Sequence, residues 1–571
     1  MCTTMAVGKN ATKDGSVIIA HSDDDVSDER LIYVPAKTYN PMNAMRPVYY
    51  DDAALGPRKD SSGKLYNASE LYRYIGSSRG PGYVVPKEDQ EERDLYDSTQ
   101  LREIPQVKKT YAYFDSSYGV MNEKKLMIGE CTCGAKVHPE PDPQKRIFYA
   151  AELSRVALER CIKAREAIEL MGQLIAKYGY YGTGETLLVG DPDEAWVMEM
   201  CGYDMDGTDG IWVAQRVPDD GFFVAANEFR IREVPAKPTD DFMFSENLHD
   251  VCKGLDWWDG IEPLDWLPTV SYGEYGHPYY SLRRVWRALT KAKPSADLPA
   301  WVEDGYTKAY PFSVIPDRKL TVADISNIYR DYYEGTEFDL TKCIGAGPWG
   351  DPTRYELNPD RGDTFELKVS RSKGAWERPI SIYRCGMMWI NQAHHEDAMH
   401  DVLGGISWVG LDRPAANCLM PFYCTVKDLP DCVQKMNLVD FDMKCAWWAF
   451  NFVANYVTIK YSYMIKDLQE LQKELEGEAY AMIADYAQRE GCPTREELTT
   501  YCSDNAESVR KAWWKLANQL IVKYNDGCRT TWEHPMSKID YPESWLKKAG
   551  YYRGPICYKK GKFPECDDLV I

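Results

Sequence analysis

The start of the chain restricts the fold more than any other stretch. Strand-forming sequence begins at once in Cys2-Thr-Thr-Met-Ala-Val-Gly, with no polar tail ahead of it. Turn residues follow in Asn10-Ala-Thr-Lys-Asp14-Gly15-Ser16, and Val17-Ile-Ile-Ala20 reads as a short buried strand that ends in His21-Ser22-Asp23-Asp24-Asp25. A hairpin over residues 2–25 is therefore expected. A terminus tied into a sheet is a place where an α-amine can be positioned instead of being solvated away.

Position 2 is chemically unusual for the same reason. Initiator methionine is normally removed when the next residue is small, and cysteine qualifies. Removal leaves a thiol and a free α-amine on one residue. An α-amine has a pKa of about 7.7–8.0, so a useful fraction is neutral near pH 7. It can take the thiol proton and later return it to a leaving amine, which makes Cys2 a candidate nucleophile with its own base. The bland alternative is a second-position cysteine of no consequence.

The chain has 571 residues, enough for a large core or for one core with a sizeable appendage. With 44% hydrophobic and 27% charged residues it reads as globular, which excludes disordered and collagen-like classes. Its 88 acidic against 68 basic residues give a net charge of −20, a surface that repels nucleic-acid phosphate and anionic membrane, so neither is an expected partner. No run of 18 apolar residues announces a membrane span, and no basic-then-apolar leader opens the sequence. The 17 cysteines are odd in number and lack a repeated short spacing, which fits a reducing cytoplasm better than a disulfide framework.

Further strands are expected at Thr186–Val189, Glu194–Met200, Gly210–Arg216, Phe222–Ala226, Glu366–Val369, Ile380–Tyr383, Gly405–Gly410 and Cys418–Tyr423, with a strand–turn–strand unit over 118–130. Residues 50–110, punctuated by Gly and Pro, read as loops. Apolar spacings of three and four predict a helix from Arg146 through Cys161, and another through Leu174 that stops at Gly179. Two long helical stretches, 446–476 and 506–524, follow a change of composition near residue 440. Strands and helices in this order suit a layered α+β sandwich better than a βαβ repeat.

Cys2-Thr-Thr-x-x-Val-Gly-Lys-x-Ala-x-x-Asp-Gly-Ser16 resembles the mature N-terminus of the C69 family of dipeptidases, within the N-terminal nucleophile hydrolases. It is similar, more distantly, to bile salt hydrolases and penicillin V acylases. The likeness continues in Tyr118-Gly-Val-Met-Asn122-Glu, Ala164-Arg-Glu-Ala167, Asp191-Pro-x-Glu-Ala-Trp196, Ala226-Asn227-Glu-Phe-Arg-Ile231 and Tyr280-Ser-Leu-Arg-Arg-x-Trp286. It runs on through Ile380-Ser-Ile-x-Arg384, Gly404-Gly-Ile-x-Trp408, Pro421-Phe-Tyr423 and Trp448-Ala-Phe-Asn-Phe452. The resemblance implies an α+β fold, the four-layer αββα sandwich; the change of composition near residue 440 divides the chain into a hydrolase core, 2–440, and an appended, mainly helical region, 441–571, expected to pack on it. It implies hydrolysis of small peptides with a free amino end through a thioester on Cys2, without cofactor or metal. Homo-oligomerisation is left open.

Three further residues carry expected roles. Asp24 matches a family position that orients the Cys2 amine, against the alternative of a solvated acidic turn. Asn227 is the candidate oxyanion donor, because an amide donates without competing as an acid or base; the alternative is a turn asparagine. Arg384 is the candidate cation, by resemblance to a site arginine of the acylases, or else a strand-end surface residue. His21 departs from the arginine frequent at its position, which puts in doubt a fixed positive charge there.

Other motifs carry less. Gly345-Ala-Gly347-Pro-Trp-Gly350 matches G-x-G-x-x-G but holds Pro348 and lacks strand–turn–helix context. His395 and His400 are five apart, a spacing that cannot share a metal from one helix face. Cys131-x-Cys133 lacks a second pair, and no G-x-S-x-G is present. Two alternatives to a dipeptidase stay open: an amidase of N-acyl amines, and a non-catalytic binding protein like the secernins.

Overall fold

Unbroken burial is the signature of the strands. Every residue of Thr3–Val7, Val17–Asp23, Gly184–Gly190, Ala195–Gly202, Met387–Ala393 and Gly405–Leu411 is buried. Successive strand residues face opposite sides of a sheet, so such strands are covered on both faces. The computed structural model describes residues 2–24, 30–40, 42–50, 100–203, 210–261, 263–274, 280–355, 376–436 and 441–549, together with the backbone of two short strands at 57–59 and 65–67.

Two large sheets result, every pair of neighbouring strands antiparallel. The first has seven strands in the order 313–314, 222–225, 3–7, 17–23, 387–393, 405–411, 420–423. The second has eight, in the order 242–244, 210–217, 195–202, 184–190, 127–133, 119–122, 113–115, 32–34. The chain's first strand thus lies inside the first sheet, flanked by its hairpin partner on one side and by Phe222–Ala225 on the other. Thr3–Val7 and Val17–Asp23 also meet strands 127–133, 184–190 and 195–202 of the second sheet face to face. Small residues allow that approach: a Cβ on Gly190 would stand 2.7 Å from Ile19 Cγ1, and one on Gly129 3.1 Å from Thr4 Oγ1.

Helices cover the sheets. Ala150–Arg160 and Ala164–Tyr178 pack on the second sheet. The latter stops at Gly179, whose φ of 72° is the conformation glycine adopts at lowest cost. Leu282–Ala292, Val322–Tyr329 and Ala446–Tyr456 pack on the first sheet, while Tyr461–Gln488 and Arg495–Lys523 contact its edge strand Met420–Tyr423. The 29-residue Arg495–Lys523 helix opens on a capping box between Thr494 and Glu497. One hydrophobic cluster runs from Met5 to Tyr524. This is a mixed helix-and-sheet fold built on antiparallel sheets.

The structure departs from the sequence reading in several places. Residues 380–383 form no strand, and the strand of that region is Met387–Ala393. The helix expected from Arg146 starts at Ala150, and the one expected over 446–476 is broken by a 3₁₀ turn at Val457–Lys460. Gln100–Pro105, read as loop, pairs with Met45–Tyr49. His395 to His400 forms turns, not a helix, and Gly345 sits in a short 3₁₀ turn. The strand expected at 366–369 lies outside the described residues, as do Met1 and Asp25. Among the described residues no helix is long and apolar enough to cross a membrane.

Candidate active site

Register builds the site. Thr3 pairs with Ser22 and Thr4 with Ala225, so carrying the first ladder back by one residue and the second by two sets Cys2 between Asp23 and Asn227. Cys2 is 1% exposed. Its Sγ lies 3.9 Å from Asp23 Oδ1 and 3.1 Å from Glu130 Oε2, the latter reaching across from the second sheet. Thr132 Oγ1 donates to Glu130 Oε1 at 2.7 Å and fixes that carboxylate. Glu185, the cross-strand partner of Thr132, lies beside them and receives the Tyr149 hydroxyl in a very short hydrogen bond.

Burial pushes the Cys2 thiol well above its ordinary value, and the Glu130 charge pushes it further. The same two causes, in the same order, raise Glu185. Burial also raises Asp23, although His21 works against it. These buried, carboxylate-lined surroundings are therefore unfavourable to a thiolate.

The side of Cys2 towards Phe222–Ala225 is held by Arg284, from the Leu282–Ala292 helix. Its fully buried guanidinium donates to Cys2 O at 2.9 Å, Thr3 Oγ1 at 2.8 Å, Ala226 O at 3.1 Å and Asn227 Oδ1 at 2.8 Å, while Nε donates to Tyr280 O at 2.8 Å. Burial, and then the charge of Arg378, lower it to about 10. Asn227 has φ of 65°, a left-handed conformation that asparagine tolerates, and it turns the chain out of the strand beside Cys2. Its main-chain N–H meets Cys131 Sγ at 2.8 Å and its Nδ2 donates to Thr132 O at 2.7 Å.

Asp24 and Arg384 come together one residue further along. Arg384 Nη1 donates to Asp24 O in a short bond, and Arg378 Nη2 pairs with Asp24 Oδ2 at 2.8 Å. Of the four residues singled out by sequence, Cys2 and Asn227 are joined through Arg284, and Asp24 and Arg384 form a second group. His21 stacks on Trp389, with ring centroids 5.3 Å apart, and its Nδ1 accepts the Glu130 N–H at 2.9 Å.

Donor atoms of Cys2, His21 and Asp23 lie within 4.8 Å of one another, a grouping able in principle to hold a metal. The imidazole argues against it. With Nδ1 committed to a main-chain N–H, a neutral ring carries its proton on Nε2, so neither nitrogen offers a lone pair. The trio does not fit a metal ligated through nitrogen.

Asp23, Glu130 and Arg284 were not singled out from sequence. Asp23 follows from pairing arithmetic once the hairpin is drawn. Arg284 stood inside a quoted motif, and Glu130 ended a recognised strand unit, but nothing local shows that either points at Cys2.

The site thus has a cysteine opening a buried strand, with acid on one side and an arginine–amide clamp on the other. The model of peptidase family C69 matches residues 1–47 and 109–474, and the chain belongs to that family of peptidases. A probable dipeptidase from Latilactobacillus sakei is 23% identical over 535 residues, covering 91% of this chain and 95% of its own. A dipeptidase A from Lactobacillus helveticus is 22% identical over 448 residues, covering 76% and 78%. Among solved structures, penicillin V acylase from Agrobacterium tumefaciens aligns with 10% identity over 74% of this chain and 86% of its own, with a TM-score of 0.27.

Proposed function

We propose that the protein is a cysteine-type dipeptidase whose nucleophile is Cys2, freed by removal of Met1. The thiol attacks the peptide carbonyl while its proton passes to the new α-amine. The amine returns that proton to the departing amino acid as the C–N bond breaks, leaving a thioester. Water then attacks the thioester, releasing the second amino acid and restoring the thiol. The observation that carries this reading is the position of Cys2 itself: at the head of an inner strand, buried, with carboxylates and an arginine-held amide around it. The relatives named dipeptidases, one of them along 95% of its length, support the substrate class.

Asn227 is the oxyanion donor in this scheme. An amide nitrogen carries two hydrogens, and the bond to Thr132 O uses one of them. Asp24, steadied by Arg378 and Arg384, orients the Cys2 amine. Two sheets in face-to-face contact, with helices on each, support the finer fold assignment, the four-layer αββα sandwich, and the helices within residues 441–549 support a helical appendage beginning at 441.

The test is the pair of wild type and Cys2→Ala, assayed on a dipeptide panel, with the N-terminal mass of each measured. Wild type is expected to lack Met1 and to cleave dipeptides, with activity lost in the variant. Full activity in Cys2→Ala would sink the assignment.

A further inference from the structure

A dipeptidase that discriminates a free amino end from an acylated one needs an anion close to the scissile carbonyl. Covalent geometry says how close. An α-nitrogen lies about 2.5 Å from the carbonyl carbon of its own residue. A sulfur poised for attack stands about 3–3.5 Å from that carbon. The substrate's ammonium is therefore held within roughly 3–5 Å of Sγ, whichever side chain it carries. Two carboxylates occupy that shell: Glu130 Oε2 at 3.1 Å from Sγ and Asp23 Oδ1 at 3.9 Å.

Resting on the dipeptidase reading, we propose that Glu130, seconded by Asp23, is the specificity residue that receives the α-ammonium of the substrate residue whose carbonyl Cys2 attacks. The surrounding bonds suit this task. Thr132 ties down Glu130 Oε1 at 2.7 Å and leaves Oε2 turned towards the sulfur, while His21 Nδ1 holds the Glu130 main chain at 2.9 Å. Both carboxylates are buried, so an ammonium between them meets little competition from water.

A second consequence concerns the thiol. Burial first, and then the charge of Glu130, keep Cys2 protonated at rest. An arriving ammonium offsets that charge and eases loss of the thiol proton, so a substrate with a free amine helps to activate the nucleophile that cuts it. An N-acylated peptide brings no such charge.

The experiment compares alanyl-alanine with propionyl-alanine, which differs only in lacking the amine. Wild type is expected to favour alanyl-alanine by at least about 100-fold in kcat/KM, since a site built to bond a substrate group rejects the analogue without it. Glu130→Gln is expected to lose about 100-fold on alanyl-alanine, chiefly through KM, and little on propionyl-alanine. Labelling of Cys2 by iodoacetamide, read on its own peptide, should hold or rise, because a repelling charge has gone. Retention of the preference in Glu130→Gln overturns the proposal, as does a fall in labelling with equal losses on both substrates, which would mean that Glu130 serves Cys2 itself. Should that variant not fold, Thr132→Val, which loosens the same carboxylate, is expected to raise KM for alanyl-alanine several-fold. Equal cleavage of both compounds by wild type overturns the proposal with no variant needed. That result leaves the dipeptidase reading standing, whereas cleavage of neither compound, nor of any dipeptide, removes the reading itself.

Discussion

Replacing Arg284 with methionine tests whether the first strand is held in place by one side chain. The guanidinium makes five hydrogen bonds and is fully buried. Methionine has similar length and no donor. Cys2 O, Ala226 O, Tyr280 O and Asn227 Oδ1 then lose their donor, at about 1–1.5 kcal/mol each, the lower end of the cost of leaving a buried acceptor unpaired. The sum is about 4–6 kcal/mol, and relief from burying a cation returns roughly 1–3. A net weakening of about 3 kcal/mol remains, felt first where the bonds converge. Hydrogen exchange followed by mass spectrometry on the peptide covering Thr3–Val7 should then run ~100-fold faster through local opening. Arg284→Lys keeps the charge but not the fork, and should fall between the two. Exchange within about threefold of wild type in the methionine variant would falsify the claim that this arginine pins the strand.

Two other perturbations probe the packing and the buried acids. Gly190→Ala puts a methyl 2.7 Å from Ile19 between the sheets and is expected to cost about 1–3 kcal/mol in urea unfolding, as overpacked cores do. Burial, the largest cause, raises the Glu228 carboxyl from an ordinary 4.5 to about 8, so the folded chain keeps a proton that the unfolded chain releases above pH 4.5. Stability from the protonated form is full below pH 4.5 and is lost as pH rises through 8, so Glu228→Gln should shrink the fall in stability between pH 5 and pH 8.5 by on the order of 2–4 kcal/mol; an unchanged pH profile would rule this out.

Local chemistry made much of the scaffold readable. The terminal hairpin, the strand unit at 118–130 and the helix stopping at Gly179 all announce themselves through runs, turns and caps. Met387–Ala393, an inner strand, did not. Met-Met-Trp-Ile-Asn-Gln-Ala has one β-branched residue and no alternation, because both its faces are buried, so the better-patterned Ile380–Tyr383 drew the assignment instead. The site divides the same way. Cys2 drew attention because its place in the chain, next to the terminus, can be read without knowing the fold. Glu130 and Arg284 did not, because their contacts with Cys2 depend on one sheet facing another and on a helix tucking a cation inward, where composition leads one to expect arginine at the surface.

The placement of the first strand also sets a timetable for synthesis. Thr4 needs Ala225 as a neighbour, and the adjoining Val17–Asp23 strand needs Met387–Ala393. At ribosomal speeds of 5–20 residues per second, the last of these partners emerges roughly 20–80 s after the N-terminus. Over that interval the opening Val-Ile-Ile run is exposed and in need of shelter. The residue ahead of Cys2 stays open to removal for just as long, before the sheet closes over a cysteine that ends 1% exposed.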